Sequence, residues 1–491
     1  MKSDLPKGWV RPRLVDVGTI VTGNTPPRRN PKSYGKDYPW VKPGDLDSNK
    51  AITETEEYLS EYGSKKARLL PPGTTLVSCI GLLGKVGYAG TTLATNQQIN
   101  SVIFNKEIVF SKYGFYYCKT LKKWLEKNAS ATTVSIINKS RLSEAPFLLP
   151  PLNEQRRIVA KLEKLLNKVD ACKERLGEIP IILKRFRQSV LAAACSGRLT
   201  ADWREKNPDV EPAEEFLKRI QQERKKKGMN NPEITHELGI LPNTWVNTKI
   251  SVVYDINPGH KGMKIDDSLD VSFVPMNMIE EGTGVIHTEI FRKYKEVKNN
   301  YTKFIEDDIL FAKITPCMEN GKIAIAKNLS NRIGCGTTEL HVFRPVLRGT
   351  NTFLFYFLLQ KEIREMAKGS FQGTSGHLRV PVDFFEDIEF PLPPFPEQRE
   401  IVRRVEALFK VADQIEGRYK KAKAYVDKLK QSILGKAFRG ELVPQDPNDV
   451  PASVLLERIR EERAEQHRKS QTRKTRTRRR QRPQNQLEID I

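Results

Sequence analysis

The sequence predicts an α+β protein built twice: two mixed α/β blocks joined by two long antiparallel coiled-coil helical regions, with pseudo-two-fold symmetry. Three observations carry this. Residues 147–199 align with 390–442 at a constant offset of 243 and no gap, with 19 of 53 positions identical. The aligned stretch has a helical heptad pattern. The regions before each copy are richer in Gly, Thr, Val and aromatic residues. A duplication this long makes a two-part molecule rather than a solenoid of many short units.

The helical copies come first in the argument. Ile158, Leu162, Leu165, Val169, Cys172 and Leu176 follow spacings of 4, 3, 4, 3 and 4, and Ile401, Val405, Leu408, Ala412, Ile415 and Tyr419 match them. Such a seam, flanked by Lys, Arg and Glu, predicts a coiled coil in which each copy offers the other its apolar face. Pro150-Pro151 and Pro393-Pro394 mark the helix starts, where proline is tolerated. Pro180 is expected to interrupt the first copy, whereas Lys423 lets the second run on. Asn153 to Ile179 would then span about 40 Å at about 1.5 Å per residue. Beyond each copy, Leu217 and Ile220, then Leu455, Leu456 and Ile459, place an amphipathic accessory helix, either a solvated helix or a docking surface.

The β-containing blocks also begin alike, with Leu5-Pro6 and Trp9-Val10 echoed by Leu241-Pro242 and Trp245-Val246. Thr74 to Ile80 and Lys322 to Ala326 read as strands between turns. Phe115-Tyr116-Tyr117 and Phe355-Tyr356-Phe357 each open an expected helix. The middles of the blocks diverge, as suits two similar domains that read different things. The chain therefore divides into a first block at 1–146, a helical region at 147–235, a second block at 236–389, a helical region at 390–465 and a basic, disordered tail at 466–491.

Charge narrows the partner. With 83 Lys and Arg against 60 Asp and Glu, the net charge is +23. The nine basic residues of 468–482 account for part of it, leaving 23 − 9 = +14. A basic body favours a polyanion such as double-stranded DNA. The sequence lacks a long apolar span and an apolar leader, which predicts a cytoplasmic protein without membrane contact. Six dispersed cysteines and six histidines lack metal-ligand spacing, so no metal is expected and the thiols read as reduced and structural.

Catalytic constellations are missing. Gly81 to Gly87 is glycine-rich but lacks the spacing of a phosphate-binding loop, and reads as a strand turn. No double proline sits in the context that amino-methyltransferases use around a flipped base, and no glycine fingerprint marks a dinucleotide or S-adenosylmethionine pocket. The expectation is a chain with no catalytic residues and no cofactor of its own. Its loops suit contact instead. Lys and Arg neutralise phosphates, whereas Asn, Gln, Arg and Thr read base edges or support phosphate contacts. The DNA-binding candidates in the first block are Arg28, Arg29, Lys32, Lys42, Ser78, Lys85, Asn96 and Gln97. In the second they are Lys313, Thr315, Asn320, Lys322, Thr337, Thr374, His377 and Arg379.

These residues carry a resemblance. Leu149 to Arg156 and Leu392 to Arg399, each a Leu-Pro-Pro-hydrophobic-x-Glu-Gln-Arg motif, resemble the motif that opens each conserved helical region of the specificity subunits of type I restriction-modification enzymes. Similarity extends to Gly23 to Pro26 with Trp40 to Asp45, to Thr95-Asn96-Gln97, and to Thr315 to Lys322 with Gly336 to Glu339. It covers nearly everything but the basic tail, which departs from the pattern. The resemblance implies two target recognition domains, each reading half of a bipartite DNA sequence. It also implies two modification subunits carrying S-adenosylmethionine for adenine methylation, and two translocase-nuclease restriction subunits using ATP and Mg. The present chain would be the non-catalytic address and scaffold. The alternatives are a recognition subunit for another class of methyltransferase or nuclease, or a coiled-coil assembly protein whose charge is incidental.

Overall fold

The computed structural model describes residues 5–47, 50–130, 134–229, 241–287, 290–374, 377–462 and 464–465. The expected basic tail lies outside the described residues. The chain forms two compact units, residues 1–176 with 422–491 and residues 177–421. Each contains one β-containing block, the opening half of one long helix and the closing half of the other.

The first unit contains β1 (Gly18–Thr22), β2 (Tyr34–Val41), β3 (Tyr58–Leu59), β4 (Thr75–Ser78), β5 (Val86–Tyr88), β6 (Ala94–Thr95) and β7 (Ile99–Phe104). An antiparallel sheet has the order β1-β7-β4-β5, and a smaller sheet, β3-β2-β6, pairs Trp40 and Val41 in parallel with Ala94 and Thr95. β4 and most of β7 are buried throughout rather than alternating, because both faces are covered. The helix Ser111–Cys118 covers part of this sheet. Its aromatics Phe115, Tyr116 and Tyr117 lie in its second half rather than opening it.

The second unit contains β8 (Val246–Lys249), β9 (Tyr254–Ile256), β10 (Asp270–Val274), β11 (Phe291–Lys293), β12 (Thr302–Ile305), β13 (Ile309–Ala312), β14 (Ile323–Ile325), β15 (Ile333–Gly336), β16 (Leu340–Pro345) and β17 (Glu389–Leu392). Its sheet β9-β16-β13-β14 repeats the order of the first unit, all antiparallel. A parallel pair, β10 with β15, answers β2 with β6, although this sheet gains β12. The helix Asn351–Leu358 takes the place of Ser111–Cys118. The fold is thus α+β, with one frame used in both units.

Two helices, Leu152–Cys195 and Phe395–Ala437, run 44 and 43 residues. In the first unit Asp170 pairs with Lys430 at 3.4 Å and Lys173 with Asp427 at 2.7 Å, so the segments are antiparallel. In the second, Arg404 pairs with Asp202 and Arg187 with Asp413, in the same sense. Two expectations are corrected here. Pro180 lies inside the first helix and does not interrupt it, so the helix exceeds the expected 27-residue span. Pro180 is exposed, so the carbonyl four residues earlier, at Leu176, loses its helical donor where water can replace it.

The seam is also broader and patchier than a strict heptad. Ile158, Leu162, Val169, Ile401, Val405 and Ala412 are buried, and Leu165, Leu176, Leu408 and Tyr419 are half-buried, but Ile415 is 41% exposed and Cys172 is exposed. Val159 and Leu166 are buried instead, because each helix start packs against its block as well as against the facing helix, which widens the apolar stripe. The accessory helix Ala213–Lys226 buries Phe216, Leu217 and Ile220 in the second unit's core, and Leu456 and Ile459 enter the first unit's core. Those faces are internal packing, not docking surfaces.

The duplicated Glu-Gln motif has an internal task. Trp9 Nε1 donates to Glu154 Oε2 at 3.1 Å, and Trp245 Nε1 to Glu397 Oε2 at 2.8 Å. Gln155 Nε2 donates to the Ile108 and Pro150 carbonyls and its Oε1 accepts from Phe110 N, while Gln398 Nε2 donates to the Pro393 carbonyl. All four Glu and Gln side chains are buried, tying the start of each block to the start of its helix.

Candidate nucleic-acid interface

In the first unit the loop after β1 is fixed by close backbone approach. A Cβ on Gly23 would stand 2.1 Å from the Asn96 carbonyl, so only glycine fits. Asn24 then donates to the Lys66 carbonyl at 2.7 Å and accepts from Arg68 N at 3.1 Å. Thr25 Oγ1 donates to Gln97 Oε1, which brings exposed Gln97 beside the loop. Arg28 and Lys42 both stand over the Trp40 ring, at 5.7 and 5.8 Å, and both pair with Glu57, at 3.5 and 2.6 Å. Cation–π attraction and a shared carboxylate hold the two cations at one place. Arg29 and Lys32 are exposed on the same loop. Thus Arg28, Arg29, Lys32, Lys42 and Gln97 form one basic polar cluster.

Asn96 and Ser78 have different surroundings. Asn96 is buried, donating to Gln98 Oε1 and accepting from Gln98 N. Ser78 is buried, its hydroxyl on the Leu82 carbonyl at 2.6 Å. Both shape turns. Lys85, half-buried, follows that turn on the way to β5.

In the second unit the loop from β13 to β14 meets the segment around Thr374 to Val380. Thr315 N donates to the Leu378 carbonyl, Val380 N to the Lys313 carbonyl, and Lys313 N to the Glu339 carbonyl. Arg379 clamps Glu339 through two bonds, Nε to Oε2 at 2.8 Å and Nη2 to Oε1 at 2.7 Å, and its Nη1 donates to the His377 carbonyl at 3.0 Å. This bidentate pair holds the Glu339 carboxyl below its ordinary range and raises Arg379. Burial pushes the Lys313 amine down, with Glu339 opposing. Lys313, Thr337, Thr374, His377 and Arg379 therefore converge. Thr315 donates instead to Glu319, Asn320 to Glu281, and Lys322 Nζ to the Met276 carbonyl, on the loop's other side.

Sequence reading missed Glu57, Glu339 and Trp40 as members of these clusters. A basic interface gave no reason to select a carboxylate, although Trp40 and Glu339 stood within motifs that carried the resemblance. Among the described residues no group of His, Cys, Asp and Glu could hold a metal ion, and no helix is long and apolar enough to cross a membrane.

Two polar, basic loop clusters on a common strand order, each tethered to the start of a long helix, define a duplicated recognition scaffold. The chain belongs to the family described as type I restriction modification DNA specificity domain, whose model matches residues 6–180 and 242–424. It is 36% identical over 334 residues to the EcoAI specificity subunit of Escherichia coli, covering 57% of this chain and 56% of that protein. To the EcoDI specificity subunit of E. coli it is 34% identical, covering 70% and 74%, and to that of EcoKI from strain K12 it is 28% identical, covering 94% and 96%. The chain thus spans little more than half the length of the EcoAI and EcoEI relatives it matches. Its fold is similar to the crystal structure of the HsdS subunit from Thermoanaerobacter tengcongensis, with a TM-score of 0.55, 19% identity and coverage of 90% and 99%. A chain from a study of complex assembly and conformational transition of the type I R-M system gives 0.63, 19% identity and coverage of 89% and 100%.

Proposed function

We propose that this chain is the DNA-recognition subunit of a type I restriction-modification complex, each unit reading one half of a bipartite target. One observation carries the reading: the sheet orders β1-β7-β4-β5 and β9-β16-β13-β14 coincide while the polar loops they present differ. Equal frames with unequal loops suit two unlike half-sites on one double-stranded molecule. Arg28, Arg29, Lys32 and Lys42 in the first unit, with Lys313 in the second, supply phosphate contacts. Gln97, Thr337, Thr374 and His377 are placed to meet base edges. Arg379 acts as a brace, since Glu339 already occupies its bidentate edge.

Catalysis belongs to partners in this reading. Two modification subunits bring S-adenosylmethionine and methylate adenine; two restriction subunits bring ATP and Mg for translocation and cleavage. The chain itself works in the cytoplasm, holding address and scaffold. The test replaces residues 1–146 with the corresponding block of a relative and maps methylated sites in cells containing the complex. One half of the methylated sequence should change and the other persist; alteration of both halves would mean that reading is shared. Purified chain should transfer no methyl group from labelled S-adenosylmethionine until a modification subunit is added.

A further inference from the structure

Equivalent clefts open in the two units, between the hairpin after β4 or β13, the end of the helix Ser111–Cys118 or Asn351–Leu358 and a long-helix segment. Gln431 and Leu434 line the first, and Gln188 and Leu191, 243 residues earlier, line the second. Their chemistry differs. The cleft of about 630 Å³ in the first unit sets four lysines, Lys85, Lys119, Lys122 and Lys430, against three acids, Asp47, Glu126 and Asp427. The cleft of about 920 Å³ in the second has Leu359 where the first has Lys119, and it sets five acids, Glu280, Glu281, Glu319, Asp413 and Glu416, against four bases, Lys184, Arg187, Arg364 and Lys420.

The lysine-rich cleft is a built feature. Gly84, at φ +78°, lets the hairpin approach so closely that a Cβ there would stand 3.0 Å from Lys122 Cα, which brings Lys85 and Lys122 to one wall. Lys119, three residues before Lys122, lies over the Phe115 ring at 4.7 Å. Burial, with Lys430 beside it, pushes the Lys119 amine down to about 8. The acids nearby are partly committed: Asp427 pairs with Lys173, Asp47 accepts from Val86 N at 3.2 Å, and Lys430 reaches Asp170 at 3.4 Å. Among the described residues Lys85, which is half-buried, and Lys122, which is exposed, have no ion-pair partner, and the half-buried ammonium of Lys85 gains more than a fully solvated one from an added anion.

We propose that this cleft holds a backbone phosphate of the bound DNA, with Lys85 and Lys122 as its principal contacts and Lys119 behind them. This rests on the DNA-recognition reading and adds a contact at the cleft where bases outnumber acids, whereas acids outnumber bases in the second unit's cleft, so the grip on the backbone is unequal between units. A phosphate contact positions the duplex without carrying sequence information.

The test measures binding of the full chain, assembled with its modification subunits, to a target duplex and to an unrelated duplex across a range of salt. Lys85→Gln with Lys122→Gln is compared with Lys106→Gln, an exposed lysine of the same unit outside the cleft. The double variant should bind both duplexes more weakly by the same factor. Its log–log salt slope should be lower by about one to two, and its methylated sequence unchanged. A slope and affinity equal to those of Lys106→Gln would overturn the assignment. So would loss of target discrimination at unchanged slope, which indicates base reading, or loss of the modification subunits with DNA binding otherwise intact, which indicates a protein partner. Wild-type complex that binds neither duplex would instead remove the DNA-recognition reading itself.

Discussion

Glu154 and Glu397 occupy matching places in the repeat, yet their surroundings differ. Glu397 Oε1 accepts from Thr200 Oγ1 at 2.6 Å and pairs with Arg204, whereas Glu154 Oε1 is buried without a partner among the described residues. At the positions matching Thr200 and Arg204 the first unit has Val443 and Pro447, so the compensation was not duplicated. Burial raises the Glu154 carboxyl above its ordinary range. An acid with a raised folded-state pKa contributes stability that is present below its unfolded pKa and lost as pH rises through the folded value. Glu154→Gln removes the charge and retains an acceptor for Trp9, so its melting temperature should equal or exceed the wild-type value at pH 8 and converge with it near pH 4. Glu397→Gln leaves Arg204 without its partner and should cost about 3 kcal/mol. Thermal melts of both variants across this pH range check the contrast; equal effects at the two sites would refute it.

At the scale of elements, the long helices show how tertiary support overrides a local breaker. Pro180 lies in the first helix with Leu166 and Val169 buried before it and Leu183 and Val190 buried after it. The proline still lacks an N–H for the helix ladder. Pro180→Ala should restore that bond and stabilise the helix, by up to about 3 kcal/mol, seen as a higher melting temperature. A lower one would show that proline relieves a constraint at this position. The exposure of Ile415 follows from the same helices, since a two-helix seam leaves its flank uncovered where no block packs against it.

Within the first unit, Ala452 N donates to the Gly8 carbonyl at 3.0 Å, and Gly440 closes against Pro6. Within the second, Ala213 N donates to the Thr244 carbonyl at 3.0 Å, and Gly197 closes against Pro242. The accessory helix and the start of the block therefore meet identically whether they are separated by a short stretch of chain or belong to opposite ends of the sequence. At the scale of the whole molecule this predicts a tolerant circular permutation. Joining residue 465 to residue 5 by a linker about as long as the stretch from Lys226 to Leu241, and opening the chain within 230–240, should preserve both units. Methylated-site mapping with the permuted subunit should return the same sequence; loss of one half-site would show that the connection constrains that unit.

The sequence by itself determined the duplication, the α+β class, the two helical copies and the loops that carry the basic residues, because periodicity, proline placement and turn chemistry are local properties. It also marked Trp9, Trp245, Glu154 and Glu397 as repeated, without revealing that they bond to one another. Tertiary structure alone decided which polar residues are presented and which are consumed. Asn96 and Ser78 turn inward onto near neighbours in sequence, Gln98 and Leu82, under the cover of surrounding strands, and Arg379 is taken up by Glu339, 40 residues earlier. It alone decided that Pro180 continues a helix and that Ile415 faces outward, because burial is set by what packs across a face and not by the spacing along it. The unequal charge balance of the two clefts follows the same rule: each is assembled from a hairpin, a helix and a distant helical segment, so no single stretch of sequence displays its charge.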